Sequence, residues 1–539
     1  MDRRRFLQSM GAASAATLGT QSQADEVRAA QDAQPLLAAR RPAKPSEPKA
    51  WLFWDLWHLD RAENLALRQG RARWRPEATY VDDVDGLAAW PSVYRHEPSK
   101  RWRMLYTSRW KPYTLYVLES DDGIRFRPLP CKDVVPEGPK HAANHIFTLR
   151  DGSCGGVYLD PVAADGFPLK IFGHQQGKAV YDRALDDPKH RWHQAAKAGW
   201  AKAYMAEELT LVSRDGLHWE TRFDMGWGLP DWHPEPPIFG FYNRGLKRHM
   251  MTVRPGWGDR RVCLQSTADF RTWSGPELLF QPDPLDEPLL EHYGMPVFPY
   301  EDAYVGLLWI FHNANSEPTG SFNRFVGPLD CQLAYSYDGV RFMRGRREPL
   351  IGLTEPGEHG CGGIEPSSMV VAENEIRIYS SGSKSQHGQG FRDRRAGAKD
   401  FEAILLHTLR KDGFTYLESL GSWARFVSKP LLLLGNELTI NVAAPWGEVR
   451  YQLCDLQSEP IAGFTYDDCE AAVREDALDR PLRWRDKDLA EFVGRVVRLD
   501  VTFRAARLYA LRGAFHFIDA QDWQMLRDGL AIDTSLFDF

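Results

Sequence analysis

Several features that mark common protein classes are missing from this 539-residue chain. After the N-terminus, no segment has the roughly 18 consecutive apolar residues that a membrane-spanning helix needs. Outside the extreme N-terminus there is no basic block of the kind that follows phosphates, and the formal net charge of -6 arises from interspersed signs. The sequence therefore argues against a membrane span and against nucleic acid as a partner.

Cysteine is sparse and its spacing carries no metal-site pattern. The 7 cysteines form no CxxC motif and no His-Cys spacing typical of zinc. Cys454 and Cys469 are the one pair considered for a disulfide, with two buried free thiols as the alternative. GxSxG, P-loop and dinucleotide-binding motifs are also absent, which argues against esterase, kinase and dehydrogenase functions. We expect no cofactor and no bound catalytic metal.

The chain is instead rich in aromatic residues, with 19 Trp, 19 Tyr and 27 Phe. Aromatic rings fill β-rich cores and also stack on flat apolar faces of ligands. A hydrophobic content of 43% and a charged content of 26% are ordinary for a globular protein. The length predicts two to four domains.

The N-terminus has the features of an export signal. Arg3, Arg4 and Arg5 precede Phe6, a mild apolar run follows, and a small-residue site ends at Ala24. This pattern resembles a twin-arginine signal, with a short basic amphipathic helix as the alternative. It predicts a signal peptide over residues 1–24 and an exported protein, periplasmic or extracellular. Residues 25–50, rich in Ala, Pro and Lys, are predicted to be a linker.

A short turn recurs along the chain. SRDGLHWE begins at Ser213, and related stretches are SDDGIRF from Ser120, STADFRTW from Ser266, SYDGVRF from Ser336 and a looser LRKDGFTY from Leu409. Asp bonds to its own downstream backbone and Gly accepts a positive φ, so each copy predicts a tight turn. Each turn follows a β-rich run, which predicts a hairpin.

Upstream of each hairpin, a more continuous apolar run predicts two further strands. Examples are VYLDPVAADGFPLKIFG and MPVFPYEDAYVGLLWIF. Four strands in each of five units predict a five-bladed β-propeller over residues 51–428, because radial repetition protects sheet edges. Uneven spacing of the turns argues against the alternative, a stacked solenoid.

The C-terminal part predicts a second domain. The stretch VRLDVTFRAARLYALRGAFHF alternates with period two, and the preceding strands are separated by Gly, Pro and Asn turns. This pattern predicts a small antiparallel β-sandwich over residues 429–518, followed by a tail over residues 519–539. The fold class is therefore all-β.

The repeated S-x-D-G-x-x-(W/F) hairpin, the five units and the attached sandwich resemble the five-bladed propeller glycoside hydrolases. This group includes β-fructosidases, arabinanases and xylosidases, and anhydrogalactosidases. The resemblance implies a glycosidase with a carbohydrate substrate and without an organic cofactor. A hydrated Ca²⁺ lies on the propeller axis in some of these enzymes, so a structural Ca²⁺ stays open.

A glycosidase needs two carboxyl groups on either side of the scissile bond. Inner strands of a propeller converge on a central pocket, so acids at their ends are the candidates. Enzymes of this kind place a base in an Asp-Pro-Ser-Val strand, but the matching WPSV stretch carries Trp90 at the acid position. Asp55, in WLFWDLWHLD, precedes this strand and is a substitute candidate, with turn capping as the alternative.

Four residues are candidate catalytic groups. Asp160 ends a β-run before Pro161 and resembles the Asp-Pro of β-fructosidases; Asp before Pro is also a common turn starter. Glu235 precedes an apolar inner strand, and Glu291 precedes another near the position of a β-fructosidase acid. His387 follows a strand in a Gly/Ser-rich loop, where the anhydrogalactosidases resemble it, and His serves as an acid near neutral pH.

The remaining candidates are substrate-binding residues, namely Asp55, His145, Arg254, Tyr293 and Glu365. Arg254 ends a strand and suits a substrate carboxylate, with a surface ion pair as the alternative. His145 paired with Arg254 also suits the different chemistry of a polysaccharide lyase. Because Trp90 replaces an acid, a non-catalytic carbohydrate-binding propeller is a further alternative. The sugar and the oligomeric state stay open.

Overall fold

A computed structural model describes residues 48–82, 88–108, 113–131, 143–199, 205–227, 235–254, 260–313, 326–390, 393, 402–530 and 532, without the side chains of Glu235 and Pro236. The predicted signal peptide and nearly all of the predicted linker lie outside these residues. Within them, no helix has the length and apolar character needed to cross a membrane.

The chain divides into two compact units. One comprises Leu52–Trp54 and Leu67–Leu417, and the other comprises Asp55–Ala66, Glu418–Phe539 and the described residues before Leu52. The predicted domain boundary at residue 428 thus differs from this division, in which the second unit already begins at Glu418.

Short strands open the chain and one of them belongs to the last sheet of the larger unit. These strands are β1 (Lys49–Leu52), β2 (Leu59–Glu63), β3 (Leu65–Gln69) and β4 (Arg73–Trp74), and a 3₁₀ turn follows at Pro76–Ala78.

The first two blades are antiparallel sheets of consecutive strands. Blade one contains β5 (Ala89–His96), β6 (Arg101–Ser108), β7 (Tyr113–Ser120) and β8 (Arg127–Pro128), and β9 (His145–Leu149) pairs with β7. Blade two contains β10 (Gly152–Leu159), β11 (Leu169–Gln176), β12 (Ala206–Ser213) and β13 (Trp219–Arg222). Between β11 and β12 lie helices α1 (Lys178–Asp186) and α2 (His193–Lys197), and a 3₁₀ turn at Phe223–Met225 follows β13.

The other three blades repeat this order. Blade three contains β14 (Glu235–Asn243), β15 (Arg248–Arg254), β16 (Val262–Thr267) and β17 (Glu277–Phe280). In blade four the inner strand is interrupted into β18 (Glu291–Gly294) and β19 (Val297–Tyr300), followed by β20 (Ala303–Phe311), β21 (Leu329–Ser336) and β22 (Met343–Ile351). Blade five contains β23 (Gly363–Val371), β24 (Glu375–Ser383) and β25 (Glu402–Arg410).

The fourth strand of blade five comes from the other end of the chain. β4 pairs with β25, with Trp74 opposite His407 and Arg73 opposite Thr408. The next strand after β25 is β26 (Thr415–Ser419), and it does not complete this blade. The early strand therefore closes the ring of sheets, which makes the larger unit the predicted five-bladed propeller.

The recurring turn is a side-chain cap that joins the third and fourth strands of a blade. In blade two, Asp215 Oδ1 accepts the N–H groups of Leu217 (2.8 Å) and His218 (2.9 Å), and Ser213 Oγ accepts the N–H of Gly216 (2.9 Å). The copies at Asp122, Asp269 and Asp338 have the same pattern. These caps satisfy backbone donors that the tight turn leaves outside the strand ladder.

The smaller unit is the predicted antiparallel sandwich. Its strands are β27 (Ala424–Ser428), β28 (Leu431–Ala443), β29 (Glu448–Cys454), β30 (Ala472–Val473), β31 (Asp476–Pro481), β32 (Val496–Arg504) and β33 (Arg507–Phe517), with a 3₁₀ turn at Leu489–Phe492. β32 pairs with β27 and β29, while β28 pairs with β31 and β33. The all-β prediction of propeller plus sandwich is confirmed.

The segment predicted to be a C-terminal tail contains a helix, α3 (Ala520–Arg527). Asp519 caps it by accepting the N–H of Asp522 at 2.8 Å, and Asp522 Oδ2 accepts the N–H of Asp519 in return. The disulfide that was considered is not formed, since Cys454 and Cys469 are both free thiols.

Candidate functional site

The inner strands of neighbouring blades run in the same direction, so their first residues meet at one end of the propeller. Ser367 Oγ of β23 donates to Pro91 O of β5 (2.7 Å). Further along both strands, the N–H of Val93 donates to Ser368 Oγ (2.9 Å). Because both partners advance together, β5 and β23 are parallel, and residues that begin these strands are neighbours.

The same holds between blades two and three, where two glycines let the strands approach closely. A Cβ on Gly155 of β10 would overlap the carbonyl group of Ile238 in β14, and one on Gly156 would meet the ring of Phe239. At Gly155, no larger residue fits without moving the backbone of Ile238. The tight packing brings the start of β14, and with it the backbone of Glu235, toward the common end.

Trp90 and Glu365 join the starts of β5 and β23. The Trp90 Nε1–H donates to Glu365 Oε2 at 2.9 Å, and its backbone N–H donates to Ser381 Oγ at 2.8 Å. Trp90 has a φ of 48°, a left-handed conformation that costs about 1–2 kcal/mol for a bulky residue. Its two hydrogen bonds hold it there, so the residue that replaces the expected acid serves to position the acid of the next blade.

An aromatic cluster lies beside this pair and joins three blades. It consists of Trp90 with Ala89, Phe239 and Trp309, and Tyr293 packs against it. The Tyr293 and Trp309 rings are stacked with centroids 6.3 Å apart, and the Trp309 Nε1–H donates to Pro366 O at 2.9 Å. The cluster places flat apolar faces next to the candidate acids.

Tyr293 and His387 form a hydrogen-bonded pair at the edge of the cluster. Tyr293 Oη and His387 Nε2 are 3.0 Å apart, and the two ring centroids are 4.9 Å apart. The His387 ring also makes an edge contact with the ring of Phe311, with 4.8 Å between the two centroids. His387 is fixed by backbone bonds with Gly327, one of them 2.9 Å long. Both side chains are partly exposed, so a proton can pass between this pair and a ligand.

Two arginines complete the surroundings of Tyr293. The Arg254 guanidinium lies 4.8 Å from the centre of the Tyr293 ring, and that of Arg260 lies 5.5 Å from it. Arg260 Nη1 also bonds to Glu291 Oε2 at 2.5 Å. This charge-assisted hydrogen bond holds the Glu291 side chain in a fixed position beside the cluster.

Glu235 takes part through its backbone. It begins β14 and pairs in register with Arg254 of β15. Its side chain lies outside the described residues, so the structure adds nothing to its predicted acid role. Of the nine predicted residues, Arg254, Glu291, Tyr293, Glu365 and His387 are thus brought to one place, and the strand of Glu235 begins there.

Asp160 lies at the other end of its strand. Val157 of β10 bonds to Ser92 of β5 at 2.9 Å, and Asp160 lies three residues further on, about 10 Å beyond that level. Its carboxylate accepts the N–H groups of Val162 and Ala163 and the ammonium group of Lys170 (2.8 Å). The predicted catalytic Asp160 is therefore a buried turn cap and ion-pair partner, away from the inner-strand starts.

His145 lies in β9, which pairs with the third strand of blade one, and Asp55 belongs to the smaller unit. His145 begins β9, and its Nε2 lies 2.8 Å from Thr148 Oγ1 and 3.0 Å from Phe147 O. Asp55 belongs to the smaller unit, where its Oδ1 accepts the N–H of Trp57 at 2.8 Å in a turn. The geometry fits the capping alternative for Asp55.

His312, which the sequence gave no reason to single out as functional, is held between two carboxylates. Its Nδ1 is 2.5 Å from Glu287 Oε1 and its Nε2 is 3.1 Å from Asp330 Oδ2. The bond to Asp330, together with Glu287, raises the pKa of His312 to about 9. His312 directly follows Phe311, the last residue of β20, and the Phe311 ring packs against His387. The two ion pairs of His312 therefore fix the end of this strand beside His387.

Three participating residues were missed from the sequence. Phe239 and Trp309 lie within continuous apolar runs, and both are buried rings that support the cluster from within the core. Arg260 follows a Gly-rich loop and offers no pattern of its own. In the part of the chain that the structure describes, no group of three or more His, Cys, Asp or Glu side chains could hold a metal ion.

No protein-family model matches the sequence, and no curated protein matches it. Among solved structures, the chain is similar to an N-acetylgalactosamine deacetylase from F. plautii in complex with blood group B trisaccharide, at 14% identity and a TM-score of 0.41 over 65% of this chain and 96% of that one. It is similar to a thermostable family-43 glycoside hydrolase at 14% identity and a TM-score of 0.37, over 62% and 95% of the two chains.

A third similar structure is the Bombyx mori GH32 beta-fructofuranosidase. The identity is 11% and the TM-score 0.36, over 82% of this chain and 94% of that chain. Solved glycoside hydrolases are thus among the proteins that this chain is similar to, and at these identities and TM-scores they do not by themselves assign its activity.

Proposed function

We propose that this protein is an exported glycoside hydrolase that cleaves a plant or algal oligosaccharide or polysaccharide. The observation that carries the proposal is that Glu291, the hydrogen-bonded pair of Tyr293 and His387, and the start of the strand of Glu235 lie together at one end of the inner strands. Glycosidic hydrolysis requires a carboxylate on one side of the bond and a proton donor on the other, and a ring such as that of Tyr293 stacks on the C–H face of a sugar.

Glu291 is the proposed base or nucleophile. Its ion pair with Arg260 orients the carboxylate, which either takes a proton from an attacking water or attacks the anomeric carbon itself, the covalent sugar then being released by water. The C–O bond to the leaving sugar then breaks, and the leaving oxygen needs a proton. Glu235, at the start of the neighbouring inner strand, is the proposed donor, with His387 as the second choice because it is already hydrogen-bonded to Tyr293.

The other residues have binding roles in this proposal. Tyr293, whose side chain is partly exposed, offers a ring face to the sugar, while the buried Trp90 holds the buried carboxylate of Glu365 in place beside it. Arg254 lies against Tyr293 and supports its position. None of these roles needs a cofactor.

A non-catalytic carbohydrate-binding propeller is the second candidate. The observation that favours it is the engagement of both described acids, Glu365 by Trp90 and Glu291 by Arg260. Such a protein would bind the same sugars at the same aromatic cluster and release them unchanged.

The deciding experiment is a screen of plant and algal glycans with the wild-type protein beside Glu291→Gln and Glu373→Gln. Glu373 is exposed and follows β23 at the end opposite Glu365, so its substitution is the matched control. We expect hydrolysis by wild type and Glu373→Gln, and a loss of about 10³-fold in Glu291→Gln with binding retained.

Other outcomes would change the assignment. Binding without product release by the wild type would favour the non-catalytic propeller. Unsaturated products, detected by their absorbance, would favour the lyase alternative. Equal turnover by Glu291→Gln and wild type would remove Glu291 from the chemistry.

A further inference from the structure

One end of the sandwich carries a row of large polar and aromatic side chains across three neighbouring strands. Glu448 of β29 lies opposite Arg504 of β32. On the other side of β32, Ala424 of β27 lies opposite Phe503, so Trp423, one residue earlier, is level with Arg504. Residues in such a row share a face of the sheet, and its outer members are about 10 Å apart.

Ion pairs hold this row in a defined arrangement. The Arg504 guanidinium lies 4.9 Å from the centre of the Trp423 ring and bonds to Glu448 Oε2 at 3.1 Å. Arg450 bonds to the other oxygen of Glu448 at 2.6 Å. Glu448 is buried and holds the two guanidinium groups in place, while the indole of Trp423 is 39% exposed and stays accessible to solvent.

Trp446 extends the row from the turn that precedes β29. Its side chain is 86% exposed. The turn beneath it is fixed, because the N–H of Gly447 donates to Ala444 O (3.0 Å) and the N–H of Arg474 donates to Gly447 O (3.0 Å). A single exposed ring is ordinary on a protein surface; what distinguishes Trp446 is that it lies two residues before Glu448, at the same end of the sheet as the exposed Trp423.

We propose that Trp423, Trp446, Arg504 and Glu448, together the tryptophan surface, bind a neutral saccharide independently of the propeller site. Indole rings stack on the C–H faces of pyranose or furanose rings, and the adjacent guanidinium group of Arg504, which Glu448 orients, donates to hydroxyls. The width of the row suits about two sugar units, so the ligand is a stretch of polysaccharide chain.

A protein partner or a second copy of the chain fits this surface less well. Stable protein interfaces bury about 800 Å² on each side. The two indoles supply at most about 150–250 Å² each, and the space beside them is taken by charged groups, which protein interface cores exclude. Interleaved charges and rings are instead suited to hydroxyl-rich ligands.

The test is affinity electrophoresis of the full-length chain in native gels that contain arabinan, xylan, levan or agarose. We expect at least one polysaccharide to retard the wild type, and Trp446→Ala and the Trp423→Ala/Trp446→Ala double variant to weaken that retardation at least tenfold in apparent Kd. Trp57→Ala is the matched control, because Trp57 is 57% exposed in the same unit and precedes β2, whose Leu59 lies opposite Ser428 at the far end of β27.

The proposal does not depend on the propeller being an enzyme, since binding is measured without turnover. Trp446 is so exposed that its replacement leaves the fold intact, which a melting curve checks. Retardation by none of the four polysaccharides, or equal retardation of the double variant and Trp57→Ala, would overturn the proposal. A wild-type dimer that Trp446→Ala dissociates would also overturn it in favour of a second copy.

Discussion

The propeller contains two carboxylate–cation pairs, Asp160 with Lys170 and Glu291 with Arg260, and they differ in the groups that surround the cation. At the far end of β10, Lys170 Nζ donates to Asp160 Oδ2 (2.8 Å), Asp165 Oδ1 (3.0 Å) and Phe167 O (2.5 Å). An ammonium group has three donors, and all three are used inside the protein. At the start of β18, Glu291 pairs with Arg260 beside the partly exposed Tyr293.

In the structural ion pair, all three donors of the cation already have partners within the protein. The candidate functional pair instead lies beside side chains that solvent reaches. Burial by itself raises the pKa of Asp160, but the N–H of Ala163, Lys170 and the N–H of Val162 lower that pKa overall. Such a carboxylate is fixed in its charged form with nothing left for a ligand. Glu291 shares its surroundings with rings and an imidazole that solvent reaches, so a substrate can still approach.

The largest expected effect is on stability, at the saturated pair. Lys170→Met leaves Asp160 buried without its cation, and we expect a loss of about 3–5 kcal/mol in the free energy of unfolding. Urea denaturation measures this loss. The control is Lys178→Met, which removes an exposed ion pair with Asp182 and should change the free energy by less than about 1 kcal/mol. Equal effects of both substitutions would break the comparison.

At the other pair, the same kind of substitution should affect activity more than stability. Arg260→Met removes the cation that orients the Glu291 carboxylate, and we expect kcat/KM to fall by about 10²-fold, or about 2.7 kcal/mol in transition-state stabilisation. The neighbouring Arg261→Met, which removes a bond to Gln281, should leave kcat/KM within about twofold of wild type. If both substitutions lower kcat/KM alike, the pair of Arg260 with Glu291 has no special role.

His312 and its two carboxylate partners, Glu287 and Asp330, predict that the free energy of unfolding depends on pH. Because the pKa of His312 is raised to about 9 from an unfolded value of about 6.5, its contribution is complete below about pH 6.5 and is lost as the pH rises through about 9. Discounted for partial exposure, the contribution is about 2 kcal/mol. Unfolding free energies measured between pH 6 and pH 10 should show this decline.

His312→Gln is the control for that decline. It cannot be charged, so its unfolding free energy should lie below that of the wild type at pH 6 and approach it near pH 10. An identical pH slope in the variant and the wild type would show that other groups cause the decline.

The smallest expected effect concerns the residue that replaces the expected acid. Trp90→Phe keeps an aromatic ring and removes the hydrogen bond to Glu365, so kcat/KM should fall by about fivefold, or about 1 kcal/mol. Trp54→Phe is the control, because Trp54 stacks on Tyr335 within the same unit, with centroids 5.6 Å apart. A loss in kcat/KM for both would indicate general loosening of the fold.

The repeated turn allowed the fold to be predicted because its chemistry is local. Ser213, Asp215 and Gly216 bond to each other and to the next few residues, so the pattern is visible without knowing the tertiary structure. The looser fifth copy has a structural reason. Asp412 accepts a bond from Tyr300 Oη, and β26 belongs to a different sheet from β25, so the predicted fifth hairpin does not form and β4 completes the blade.

The strand that closes the propeller could not be predicted from the sequence, because its pairing is not local. β4 is only Arg73–Trp74, too short for any alternation, and its partner His407 lies more than three hundred residues away. Its pairing is decided by ring closure, which no local pattern encodes.

The candidate site was predictable in part. Acids that begin inner strands, such as Glu291 and Glu365, follow from strand prediction plus propeller geometry. Asp160 shows the limit, because an Asp-Pro dipeptide is the same in a turn cap and in an active site. What distinguishes them is the position of Lys170, whose buried ammonium is brought to Asp160 by the pairing of β10 with β11.

The most direct test of the account is a crystal structure of Glu291→Gln with the oligosaccharide identified in the glycan screen. We predict a sugar chain with one ring against Tyr293 and with its glycosidic oxygen within hydrogen-bonding distance of Glu235 or His387. Sugar bound only at the tryptophan surface of the sandwich, with the inner-strand starts filled by water, would contradict it.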